Sequence, residues 1–172
     1  MGSRPEAGLN RRGLLGAGLA MLLGGTSARA QLGPEGLPPC REDEIVVTGP
    51  FGTARFAVTV ARTPQEQARG LMFVRRMSDD TGMLFAYDSP RRVSFWMRNT
   101  LIPLDMLFID AEGRVRHIHE NAQPRDETPV PSRGPVVGVL EINGGLSSQV
   151  GIAPGAVVRH PALPQGEMLL RC

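Results

Sequence analysis

The stretch RVSFWMRNTLIPLDMLFID, residues 92–110, sets two apolar runs on either side of a polar connection. RVSFWM (92–97) and LDMLFID (104–110) have strand length, and Arg98-Asn99-Thr100 followed by Ile102-Pro103 reads as a tight turn between them. On a strand, Asp105 shares a face with Leu107 and Ile109, opposite Leu104, Met106 and Phe108. A lone carboxylate in such a run is costly to bury unpaired, so it belongs near a mouth or beside a partner, for which Arg98 and Arg69 are the candidates.

The same grammar extends outward. RFAVTVAR (55–62) alternates Phe56, Val58 and Val60 with Ala57, Thr59 and Ala61. GMLFAY (82–87), RVRHIH (114–119), PVVGVLEI (135–142) and AVVRH (156–160) are further short strand candidates, separated by Gly- and Pro-bearing breaks. Many short strands at this spacing predict a mainly β fold, a sandwich or barrel of about seven to eight strands. Two short helices join them. Thr63-Pro64-Gln65-Glu66 is a capping box with proline at the first helical position. A second helix follows Asn143, within GGLSSQVG (144–151).

The ends speak to compartment. Arg11-Arg12, the apolar run GLLGAGLAMLLGG (13–25) and ARA (28–30) read as a signal peptide over residues 1–30, with paired arginines of the twin-arginine type. The run is too short and glycine-rich for a membrane span, so no stable insertion is expected after cleavage. Residues 31–43 form an N-terminal lead-in and 44–172 a single β domain. The whole chain carries a formal charge of +2; removing the signal's four arginines and one glutamate leaves 15 arginines against 16 acids, a charge of −1. No basic stripe argues for nucleic acid. The two cysteines, Cys40 and Cys172, read as a disulfide tying the ends together in an oxidising compartment, periplasmic or secreted. A lipid anchor on Cys40 is disfavoured by the prolines of LPPC (37–40).

TPQEQARGLMFV (63–74), the run from Asp79 to Val115 with its FWMRNT and IPLDM motifs, and LEINGG (140–145) together resemble the domain of unknown function 192 family over roughly residues 45–160. Arg98 stands where the family often has lysine, which keeps the charge. The resemblance implies a compact, mostly β, jelly-roll-like domain, exported in many members. It implies no activity.

Trp96, Asn99 and Asp105, with Arg69 and Arg98 as charge partners, make up a candidate binding site for a small molecule or glycan, with the indole as a stacking plane and planar polar groups for hydroxyls. The alternative is a buried Trp96 whose N–H needs an acceptor, with Asp105 and Asn99 tying down a turn. Glu141, a second acid in an apolar run, pairs with Asp105 in an enzymatic alternative, a two-carboxylate hydrolase of envelope carbohydrate. A third class is a protein-interaction module that pairs through an open sheet edge. His117 and His119 have the spacing of a metal chelate on one strand face, against the plainer reading of a solvent face. Met72, Met77, Met83, Met97 and Met106 are soft donors of the kind that hold copper(I), or simply core fillers. No phosphate loop, dinucleotide fingerprint or nucleophile elbow occurs, so no cofactor is called for. NAQPRDETPVPSRGP (121–135) reads as a long surface loop, a rim or lid for the Trp96 face.

Overall fold

A computed structural model describes residues 39–172. The expected signal peptide, residues 1–30, and most of the lead-in lie outside these residues. In chain order the elements are β1 (Glu44–Gly49), β2 (Gly52–Ala61), α1 (Pro64–Arg69), β3 (Thr81–Arg91), β4 (Ser94–Phe95), β5 (Leu104–Ile109), β6 (Val115–Ala122), β7 (Val130–Pro131), β8 (Val136–Asn143), α2 (Leu146–Val150) and β9 (Val157–Arg159). The fold is mainly β with two short helices, as the strand periodicity predicts.

Seven strands form one sheet in the order β6-β5-β8-β3-β2-β1-β9, and β4 and β7 form a small second sheet. The large sheet curls until its two edges meet. An antiparallel bridge joins Arg114 to Val157, and Val115 N donates to Ala156 O at 2.8 Å while Val158 N donates to Gly113 O at 2.7 Å. Closure of this kind removes exposed edges at that point. All neighbours are antiparallel except β2 and β3, which are parallel and joined through α1. The helix starts as the capping box requires: Glu66 N donates to Thr63 Oγ1 and Thr63 N to the Glu66 carboxylate.

The sheet's concave side is filled by one apolar cluster that includes Ile45, Phe56, Leu84, Leu107, Ile109, Leu140 and Val158. Its other side carries a second cluster built on Phe85, Leu104, Met106, Phe108 and Val139. Every residue of β5 is therefore buried, since the β4–β7 ribbon and the segments around Leu71 and Met97 cover the outer face. Outward from β5 the pairings place Thr59, Met83, Glu141, Met106 and His119 in one cross-strand row, and Ala61, Phe85, Val139, Phe108 and His117 in the next.

Cys40 and Cys172 are joined, with Cα atoms 5.5 Å apart across 132 residues of sequence. A loop of that length restricts the unfolded chain strongly. The double variant Cys40→Ser/Cys172→Ser is expected to lose up to roughly 4 kcal/mol against the oxidised protein in urea unfolding.

Candidate functional site

Alternation along the 92–97 run decides where its aromatics point. Phe95 turns inward and packs edge-to-face on Phe85 at 4.8 Å and Phe108 at 6.0 Å. Met97 is 1 % exposed, whereas Trp96 between them is 47 % exposed. The tryptophan is not buried, so the expectation of a core indole seeking an acceptor is overturned by the alternation that continues just past β4.

Trp96 stands over a shallow groove of about 30 Å³ lined also by the end of α1 and the turn after it, with Arg69, Gly70 and Met72, and by Arg98 and Thr100. The Arg98 guanidinium lies 5.5 Å from the indole centroid, a cation–π distance. The groove depends on backbone that few residues adopt. Gly70 ends α1 with φ 47° and ψ −137°, a region open to glycine alone. Phe73 and Asn99 both have left-handed φ, 64° and 55°. They brace each other, with Phe73 N donating to Asn99 O at 2.9 Å and the Asn99 amide approaching Met72 sulfur at 3.8 Å. The brace leaves the Phe73 ring 64 % exposed. Sequence reading missed Phe73, because nothing in GLMFV signals a positive φ.

The structure thus brings Trp96, Arg69, Arg98 and Asn99 together, and it sets Asp105 apart from them. Asp105 is fully buried. One oxygen accepts from Asn121 N and Gly145 N, both at 2.7 Å. The other accepts from Ser147 N at 2.8 Å and from the Ser147 hydroxyl. Neither arginine is its partner; backbone amides are. Asn121 sits at a bulge between β5 and β6, with φ 51°, and a bulge frees the N–H that the carboxylate takes. Of the two readings of Asp105, the geometry is that of the tied-down turn.

Glu141 projects from the outer face between Met83 and Met106, while Asp105 shares the opposite face with Leu107 and Ile109. The pair is not assembled for two-carboxylate chemistry. Glu141 is 4 % exposed, and burial alone pushes its carboxyl up to about 8. Four of the five methionines are core fillers by position: Met97 and Met106 lie in the outer cluster, with Met77 and Met83 packed against it, while Met72 lines the Trp96 groove.

His117 and His119 do share a face. They line a cavity of about 200 Å³ with Asp126, Thr128, Val130 and Arg133. Among the described residues no group of three or more His, Cys, Asp or Glu is placed to hold a metal ion. The 121–135 segment is more ordered than a free loop. It extends β6, forms β7, and ties to the Trp96 strand through Met97 N to Asp126 O at 2.8 Å and Arg125 N to Met97 O at 3.1 Å.

Fold and site together define a small, curled β domain with a solvent-facing aromatic shelf on its outer layer. The chain belongs to the domain of unknown function 192 family, described as an uncharacterized ACR, whose model matches residues 46–160. A solved protein of unknown function from Novosphingobium aromaticivorans DSM 12444 is 50% identical, with a TM-score of 0.66 over 67% of this chain and 82% of that one. A candidate transcription regulator from Sinorhizobium meliloti 1021 is 41% identical, with a TM-score of 0.66 over 69% of this chain and 93% of that one. No curated protein matches the chain.

Two stability measurements follow from these placements. Asp105→Asn turns amide protons toward buried N–H donors and is expected to cost roughly 3 kcal/mol, against about 1 kcal/mol or less for Trp96→Ala, in paired urea unfolding. Glu141 binds its proton more tightly folded than unfolded, so it makes the native state lose stability as pH rises from about 4.5 to about 8. Glu141→Gln is expected to flatten that part of the profile and to be the more stable protein at pH 9; equal slopes for the two proteins would show that the carboxyl ionises freely.

Proposed function

We propose that the domain is a non-catalytic binding module of the periplasm or cell exterior, holding an extended glycan across the Trp96–Phe73 shelf. One observation carries this: Trp96 and Phe73, two large apolar rings, stand in solvent on adjoining loops, braced by two residues held in left-handed backbone. Strained, braced backbone that exposes aromatic surface is the reverse of what stability alone selects. Aromatic planes suit the C–H faces of sugars, and Arg69, Arg98 and Asn99 supply donors around them. The groove under Trp96 holds little more than one water, so the fitting ligand lies along a surface rather than inside a pocket. The stretches that meet here, RGLMFV and FWMRNT, are the ones by which the chain resembles its family.

The description of the Sinorhizobium meliloti relative concerns that protein. Among the described residues of this chain the two helices have six and five residues, which does not favour a recognition helix in a DNA groove.

Trp96 is the chain's single tryptophan, so its emission reports on the shelf directly. A panel of soluble envelope oligosaccharides, neutral and acidic, is expected to include one that changes the emission saturably. Calorimetry with that sugar is expected to show at least a tenfold loss of affinity for Trp96→Ala and for Phe73→Ala, with unfolding midpoints near wild type. A panel that leaves both emission and heat unchanged would sink the reading.

A further inference from the structure

The cavity between β6 and the 126–133 segment has a chemistry of its own. Its volume of about 200 Å³ equals roughly six or seven waters at about 30 Å³ each. Opposite charges line it. One is Arg133, held with φ 55° in the left-handed region and engaged in no ion pair among the described residues. Arg116 adds a second positive charge nearby, its guanidinium about 3 Å from where Gly134 would carry a Cβ. Both arginines lie close enough to His117 to disfavour its protonation, after the larger effect of burial. The other is Asp126, exposed, its carboxylate accepting from Thr128 N at 2.8 Å and kept below the usual range chiefly by Thr128. His119 also lines the cavity.

His117 fixes what can bind beside Arg133. Its ring stacks flat on Phe108, centroids 4.4 Å apart at 6°. Nδ1 is buried without a hydrogen-bond partner. An orphaned buried N–H costs more than an orphaned acceptor, so the neutral ring keeps its proton on Nε2, the nitrogen left open to solvent. His117 therefore presents a donor in the cavity that Arg133 also lines.

We propose that this cavity binds a small α-amino acid as its zwitterion, the carboxylate between Arg133 and the His117 Nε2–H and the ammonium on Asp126. A guanidinium and an N–H donor match a carboxylate, and the opposed charge at Asp126 distinguishes the ligand from a plain anion. The site is separate from the Trp96 shelf and independent of any glycan bound there.

The chain has three histidines, and His160, fully buried elsewhere, serves as an internal control. The experiment is proton NMR of the histidine ring resonances in the oxidised protein, titrated with alanine, acetate and ethylamine. Alanine is expected to shift His117 and His119 saturably and to leave His160 unmoved, with acetate binding at least tenfold more weakly. Arg133→Gln is expected to abolish both responses while glycan binding at Trp96 persists. Asp126→Asn is expected to bring alanine down to the level of acetate and to leave acetate unchanged. Equal binding of alanine and acetate, insensitive to Asp126→Asn, would overturn the proposal in favour of a simple anion site. Absence of any saturable shift in protein with native Trp96 emission would overturn it entirely.

Discussion

One buried carboxylate organises this fold. Asp105 collects three backbone N–H groups and a hydroxyl from segments 16 to 42 residues away in sequence. Burying such a charge is tolerable only because its lone pairs are occupied. Each donor is a group that the local structure has orphaned: Asn121 at a bulge, Gly145 in left-handed backbone, and Ser147 in the first turn of a helix that lacks a side-chain cap of its own. The packing around them leaves little slack. A Cβ on Gly144 would lie 2.7 Å from Pro103 Cβ and 2.8 Å from the Asn121 side-chain oxygen. The carboxylate thereby fixes β5 against β6 and β8, and β5 is the strand from which both faces of the sheet take their register.

The two faces then have unlike fates. The concave side is closed where the start of β6 meets β9 and is filled with mostly aliphatic side chains. The outer side has only a two-strand ribbon and short segments to cover it. A thin layer over a curved sheet buries one face of its strands and leaves the other in water. Phe95 goes in and Trp96 stays out for that reason, and the histidine cavity lies between β6 and the segment that carries β7. Phe85, Phe95, Phe108 and His117 make a continuous run of ring contacts, which joins the Trp96 strand to the wall of the histidine cavity.

Much of this was legible in the sequence. The alternation of 55–62, the capping box at Thr63 and the paired terminal cysteines each carry a local physical cause, and each is found. The face assignment of β5 also follows from the two-residue period. What escaped depends on distant partners or on unusual φ. EIVVTG (44–49) is too short to stand out as a strand, yet it pairs with β2 along its full length. The parallel β2–β3 pairing is set by tertiary packing rather than by either strand. Arginines looked like the partners of Asp105 because charges are visible in a sequence and freed backbone amides are not. Phe73 went unnoticed because left-handed backbone does not show in the letters.

The arrangement of acids bears on what kind of work the outer layer does. A reaction that uses two carboxylates needs them on one face, flanking one bond. Here the strand period sends Asp105 inward and Glu141 outward, and each has a state suited to structure: the first saturated with donors, the second kept neutral by burial up to about pH 8. Neither meets solvent in a form that could accept or donate a proton to a bound substrate at the shelf. The groups that do meet solvent there are aromatic planes, guanidinium ions and an amide, which recognise surfaces and hydroxyls without exchanging protons near neutral pH. Such a set of groups suits the recognition proposed above, and its presentation rests on the backbone geometry of Gly70, Phe73 and Asn99.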